Sequence, residues 1–205
     1  MTILFQGDSV TDCTRDRSNP NGLGIGYAMF ASKAMPELRV LNRGISGNRA
    51  KDLAARRQED CLDLQPDIVS ILIGINDVWR RYDSNDPTLD EAFEISYREI
   101  LESLRAANIK TLLIQPFLLD INENVSAMRE DLIGKQAVVR RLAAEFGTAL
   151  LDADELFRRT VAETGNLPLL YAADGVHPTE TGHRLLAMAV EAILKKTCIF
   201  PPKPL

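Results

Sequence analysis

Three residues of the types that make a hydrolytic relay lie far apart in this chain: Ser9 near the start, and Asp174 and His177 near the end. A serine hydroxyl attacks a carbonyl only when a base takes its proton, a third group orients that base, and donors receive the developing oxyanion. His177 is a candidate base, and Asp174, three residues earlier, can bond its other ring nitrogen and hold the useful tautomer. Ser9 follows Gly7-Asp8 at the edge of a strand, where its backbone N–H can point into a site. Gly44 offers a backbone N–H with no side chain in a ligand's way, and Asn76 offers a neutral amide donor that a carboxylate could not supply. Taken singly, each has a plainer reading. Gly-Asp-Ser is turn or cap chemistry, Asn76-Asp77 suits a turn or helix N-cap, and Asp174-x-x-His177-Pro178 suits a loop hydrogen bond.

What lends the set weight is where the surrounding elements put it. Short apolar runs at Thr2–Gln6, Arg39–Asn42, Asp67–Ile73, Thr111–Gln115 and Ala149–Asp152 alternate with helical stretches. Each run is apolar on both faces, as strands covered by helices on both sides must be. Leu89, Phe93, Tyr97, Ile100, Leu101 and Leu104 fall on one helical stripe, opened by a Thr88-x-x-Glu91 capping box. Met128, Leu132, Val139, Leu142 and Phe146 make another, stopped by Gly147. Leu53, Ala54, Cys61 and Leu64 form a weaker one ending at Pro66, and a last helix runs from Glu180 to Lys196 with Thr179 as its cap. Repeated β–α units of this kind predict an α/β fold, a three-layer α/β/α sandwich on a five-stranded parallel sheet. Ligands in such sheets bind beyond the carboxyl ends of the strands. Ser9, Gly44 and Asn76 fall at those ends, and His177 falls just before the last helix.

In this arrangement the chain resembles the SGNH (GDSL-type) hydrolases, whose name denotes four residues in four blocks. They stand here as Ser9 in Gly7-Asp8-Ser9, Gly44 in Asn42-Arg43-Gly44, Asn76 in Gly74-Ile75-Asn76-Asp77, and His177 in Asp174-Gly175-Val176-His177-Pro178. The match runs in order from Phe5 to Pro178; Val10 stands where the eponymous motif has Leu. The resemblance implies a flavodoxin-like sheet, a Ser9–His177–Asp174 triad, and an oxyanion hole of Ser9 N–H, Gly44 N–H and the Asn76 amide. Within the family, Gly7–Cys13, Asn42–Asn48 and Ile73–Tyr82 look most like acetylxylan-esterase-like carbohydrate esterases. That likeness implies removal of acetyl groups from sugar hydroxyls. Trp79 and Tyr82 would present flat faces to a pyranose, and Arg80 would bond its oxygens. An alternative is that Trp79 begins a surface loop and packs beneath it.

Other features point away from other chemistry. Asn21–Gly26 is glycine-rich, but no strand leads into it and no Gly-Lys-Ser/Thr follows, so it is a structural lead-in to the first helix. Cys13 has no base assigned to it, His183 is a structural hydrogen-bonder, and Asp8 and Asp77 hold loops through backbone bonds. Arg56-Arg57 and Arg140-Arg141 are exposed helix faces. With 24 basic against 29 acidic residues and no basic block, nucleic acid is not a partner. Two histidines and three widely spaced cysteines, Cys13, Cys61 and Cys198, furnish neither a zinc site nor a disulfide framework, and no cofactor is implied. The apolar run Ile68–Ile75 is too short to cross a membrane. The N-terminus lacks a basic-then-apolar leader, so a cytoplasmic, single domain over residues 1–205 is expected. The Pro-rich end from Phe200 to Leu205 would lie against the body or against a partner subunit in a homo-oligomer.

The expected activity is hydrolysis of short acyl, chiefly acetyl, esters of xylo-oligosaccharides or related sugars through an acyl-Ser9 intermediate. A thioesterase or lysophospholipase on the same scaffold is the rival enzyme. A carbohydrate-binding protein without turnover is the rival of another class.

Overall fold

The computed structural model describes residues 1–197, so Cys198 and the Pro-rich end lie outside the described residues. Five parallel strands form one sheet: β1 (Thr2–Gly7), β2 (Arg39–Asn42), β3 (Ile68–Leu72), β4 (Lys110–Ile114) and β5 (Ala149–Leu151). Their spatial order is β2-β1-β3-β4-β5. The period-2 alternation of a strand sorts the apolar residues onto two faces. Ile3 and Phe5 of β1, Ile68 and Leu72 of β3, and Leu112 and Ile114 of β4 enter one core; Leu4, Val69, Ile71 and Leu113 enter the other. Burial on both faces is why these strands read as unbroken apolar runs, each large side chain contributing about 1.5–3 kcal/mol.

The first core is closed by α2 (Tyr27–Ala34), α8 (Ala153–Thr164) and α9 (Glu180–Lys196), the second by α3 (Ala50–Asp60), α5 (Asp90–Ala106) and α7 (Arg129–Phe146). Thr179 caps α9 by accepting the Gly182 N–H at 3.3 Å, and Gly147 ends α7 at φ +64°. The expected three-layer sandwich is the observed one. Among the described residues, no helix is long and apolar enough to cross a membrane.

Several local expectations are corrected. Thr88 does not cap α5. Its hydroxyl accepts from Arg49 and its carbonyl from Lys135 Nζ at 2.6 Å, so the helix starts at Asp90 and Leu89 stands 68% exposed, off the apolar stripe. The stretch beginning at Ile75 is a helix, α4 (Ile75–Ser84), so Trp79 does not begin a surface loop. Only its first turns meet apolar partners, where Ile75, Val78 and Trp79 pack near Leu118, Met128, Leu132 and Val176. Its outer turns are held by Arg81 and Tyr82 on Asp131, while Ile75, Val78, Trp79 and Tyr82 share one face at i, i+3, i+4 and i+7. Helix α8 buries Ala153 and Phe157, with Leu156 and Val161 packed beside them; Asp152 caps it by accepting the Glu155 N–H at 2.9 Å.

Candidate active site

The order of the strands reverses at β1, since the chain steps from β1 outward to β2 and then returns to β3 on the other side. The crevice at such a reversal is where open α/β sheets bind ligands. Gly7 of β1 pairs in register with Leu72 of β3, so the segments that follow these strands begin level with each other.

Beyond Gly7 the chain winds into α1 (Ser9–Asp12), a single turn. A Cβ on Gly7 would lie 2.2 Å from Thr11 Oγ1 and 2.3 Å from the Leu72 carbonyl, so only glycine lets the turn fold back on the strand. Buried Asp8 caps this turn, its Oδ1 accepting the Val10 N–H at 3.0 Å. Burial pushes the Asp8 carboxyl up to about 7. Ser9 occupies the first helical position, where a backbone N–H has no intrahelical acceptor. Its Oγ lies 2.9 Å from His177 Nε2.

His177 Nδ1 lies 2.6 Å from Asp174 Oδ2, while Asp174 Oδ1 accepts the backbone N–H groups of Val176 at 3.0 Å and His177 at 2.7 Å. Burial works against ionisation of Asp174, but these donors outweigh it and hold the carboxyl well below the usual carboxylate range. The hydrogen bond to Asp174 in turn raises the His177 pKa above its ordinary 6.5. With Nδ1–H assigned to the carboxylate, Nε2 presents a lone pair to the Ser9 hydroxyl. Gly175, at φ +85°, shapes this loop, and a Cβ there would stand 2.7 Å from the Leu119 carbonyl. The bridge between Ala172 and Pro178 closes its base.

Asn76 sits in the first turn of α4, which Gly74 opens at φ +130°. It is buried, with Nδ2 donating to the Asn48 carbonyl at 3.0 Å and Oδ1 accepting from Arg80 Nη2 at 3.1 Å. One amide hydrogen stays uncommitted. Asp77 Oδ2 accepts the Ala50 N–H at 3.1 Å and ties α4 to α3; burial pushes this carboxyl up to about 6.

Gly44 does not fit the part expected of it. Its N–H donates to Asn42 Oδ1 at 2.8 Å, and a Cβ there would lie 2.3 Å from the Asp12 nitrogen. It is a glycine of close packing behind the site. Three residues on, Gly47 is exposed at φ +85°, with nothing within 4 Å of where a Cβ would stand and no acceptor for its N–H. It adjoins Asn48, whose carbonyl holds the Asn76 amide. The only trace of this in the sequence was a second glycine in Gly44-Ile45-Ser46-Gly47.

A cleft of about 780 Å³ flanks the histidine loop, lined by Trp79, Tyr82, Asp83, Asn122, Asn124, Asp174 and their neighbours. Trp79 lies within α4, not at the start of a loop, and its ring centroid is 5.8 Å from that of His177. Tyr82 faces the same cleft with its hydroxyl bonded to Asp131 Oδ2 at 2.8 Å. Arg80 is absent from the cleft lining and turns toward Asn76 and Asp83.

Two further expectations are revised. Cys13 does have an imidazole beside it, with His183 Nε2 3.3 Å from its Sγ. His183 Nδ1 accepts the Tyr27 N–H at 3.2 Å, and burial pushes this imidazole down to about 4, which leaves it a neutral structural bonder. Arg56 is not an exposed residue. Its guanidinium reaches the Gly7 carbonyl at 3.2 Å and the Arg43 carbonyl at 2.8 Å, clamping the ends of β1 and β2. Among the described residues, no group of three or more His, Cys, Asp or Glu side chains is arranged to hold a metal ion.

Comparison with known proteins finds relatives over most of the chain. An acetylxylan esterase of Geobacillus stearothermophilus is 38% identical over 202 residues, covering 91% of this chain and 90% of that protein. A crystal structure of a catalytic mutant of that esterase superposes with a TM-score of 0.86 at 34% identity, covering 94% of this chain and 93% of the other. A GDSL-like lipase structure from Parabacteroides merdae gives 0.86 at 32% identity, covering 97% and 96%. Thioesterase 1/protease 1/lysophospholipase L1 of Escherichia coli is 27% identical over 197 residues, 91% of this chain and 79% of that protein. The model of one family spans residues 5–185, from β1 through the histidine loop into α9, and on that match the chain belongs to the GDSL-like lipase/acylhydrolase family.

Proposed function

We propose that this carboxylic ester hydrolase is a serine esterase that removes acetyl groups from acetylated xylo-oligosaccharides through an acyl-Ser9 intermediate. The observation that carries the reading is the unbroken relay from Ser9 Oγ through His177 to Asp174, at 2.9 Å and 2.6 Å, at the reversal point of the sheet. Ser9 Oγ attacks the ester carbonyl as His177 Nε2 takes its proton. The charge that develops on the carbonyl oxygen is received by the Ser9 N–H, the free hydrogen of Asn76 Nδ2 and the Gly47 N–H, the last in place of Gly44. Collapse expels the sugar alcohol, which leaves with the proton from His177. Water then attacks the acetyl-Ser9, gives one proton to His177, and acetic acid departs as that proton returns to Ser9 Oγ. Asp174 stays ionised throughout and stabilises the imidazolium.

The flat faces of Trp79 and Tyr82 beside His177 suit a pyranose, and the cleft they line is the proposed seat of the sugar. A thioesterase or lysophospholipase activity draws support from the Escherichia coli relative. Both readings are tested by acetate release from acetylated xylo-oligosaccharides together with a chain-length series of synthetic esters. Acetate esters are expected to be the better substrates; higher kcat/KM on octanoate, acyl-CoA or lysolipid would overturn the acetyl assignment. Ser9→Ala should lower turnover by at least about 10⁴-fold and abolish labelling by a fluorophosphonate probe.

A further inference from the structure

A side-chain amide serves as an oxyanion donor only if it points the right way, because its oxygen would repel the same charge that its nitrogen stabilises. At Asn76 both ends of the amide are specified. The Asn48 carbonyl, 3.0 Å away, is an acceptor and selects Nδ2. Arg80 Nη2, 3.1 Å away, belongs to a group with donors only and selects Oδ1. A flipped amide would set oxygen against the Asn48 carbonyl and nitrogen against the guanidinium, losing both bonds.

Helical spacing delivers this contact, since Asn76 and Arg80 are four residues apart on α4 and share one face. Asp83, three residues further, pairs with Arg80 Nη1 and steadies the guanidinium from the outer side. A positive group bonded to the amide oxygen also draws electron density from the nitrogen and strengthens its N–H as a donor. Trp79 and Tyr82 line the cleft beside the histidine loop, whereas Arg80 between them does not.

We infer that Arg80 is a positioning residue for the oxyanion donor Asn76, fixing the orientation and polarity of its amide, and is not a contact for the sugar. The inference rests on the acetyl-esterase reading of the site. It requires Arg80→Ala to lower kcat on an activated acetate ester about tenfold, with KM for acetylated xylo-oligosaccharides unchanged. Arg80→Lys, which keeps the charge and the stem, should recover part of the loss, and a thermal melt of each variant reports whether α4 stays folded. The deciding measurement is the double variant. If Arg80 acts through Asn76, adding Arg80→Ala to Asn76→Ala costs nothing further. Losses that multiply would overturn the inference, as would a raised KM on oligosaccharides with kcat on the activated ester unchanged, which is the behaviour of a sugar contact. Failure of the underlying reading looks different, because Asn76→Ala alone would then keep full turnover.

Discussion

Ser9 stands on a floor of buried residues, whereas His177 and Asp174 stand on a loop where their side chains remain 43% and 47% exposed. On the serine side, Gly7 leaves no room for a methyl group, and Asp8, Val10 and Thr11 are buried. On the histidine side, order comes from hydrogen bonds: two backbone donors on one carboxylate oxygen and the imidazole on the other. On the proposed mechanism, packing fixes the group that the substrate must meet at one angle. Hydrogen bonding fixes the group that would gain and release a proton, and leaves it within reach of solvent.

Substitutions can break that division of labour. The largest effect is expected from Gly7→Ala, whose methyl would meet the Leu72 carbonyl at 2.3 Å. It should cost several kcal/mol, enough to lower Tm by roughly 10 °C or to prevent recovery of folded protein. On the other side, Asp174→Asn should keep Tm nearly unchanged while kcat falls about 10³–10⁴-fold, read from steady-state kinetics. In the unaltered protein His177 must be neutral to act as base, and Asp174 holds its pKa above 6.5, so the acid limb of kcat/KM should have its midpoint above that pH.

The two glycines after β2 give a smaller and sharper contrast. Gly44→Ala should lose several kcal/mol against the Asp12 backbone. Gly47→Ala should lose only about 1–2 kcal/mol from its positive φ, and keep activity within a few-fold because its N–H survives. Thermal melts and activity on an acetate ester distinguish them. A contrast in pH concerns Asp8. Its folded pKa of about 7 stands above the ordinary 3.8, so the folded state holds this proton more tightly and stability drains away as pH rises between those values. Asp8→Asn should therefore melt higher than the parent at pH 8, and show no such gain at pH 3.5; equal melting shifts at both would contradict it.

Much of this was readable from the residues. A strand buried on both faces has no choice but to read as an apolar run, and Ser9, Asn76, Asp174 and His177, each ordinary at a turn or cap, gain meaning as a set in family order. What stayed hidden depends on neighbours distant in sequence. Nothing local distinguishes Gly44 from Gly47, because the difference is the Asn42 side-chain oxygen Oδ1, which takes one N–H and leaves the other. Arg56 looks like any helix-surface cation until the ends of β1 and β2 arrive beneath it. Helix α4 is different: Ile75, Val78, Trp79 and Tyr82 keep helical spacing, so its stripe stands in the sequence.

The hydrogen bond from Ser9 to His177 joins positions 168 residues apart. A nascent chain on the ribosome can therefore complete the sheet's first strands and its serine turn long before it has an imidazole to pair with. Until the histidine loop and the helix anchoring it have emerged and docked, the hydroxyl is an ordinary alcohol. On the proposed mechanism, turnover of an ester by a translating or refolding sample would thus time the last step of assembly.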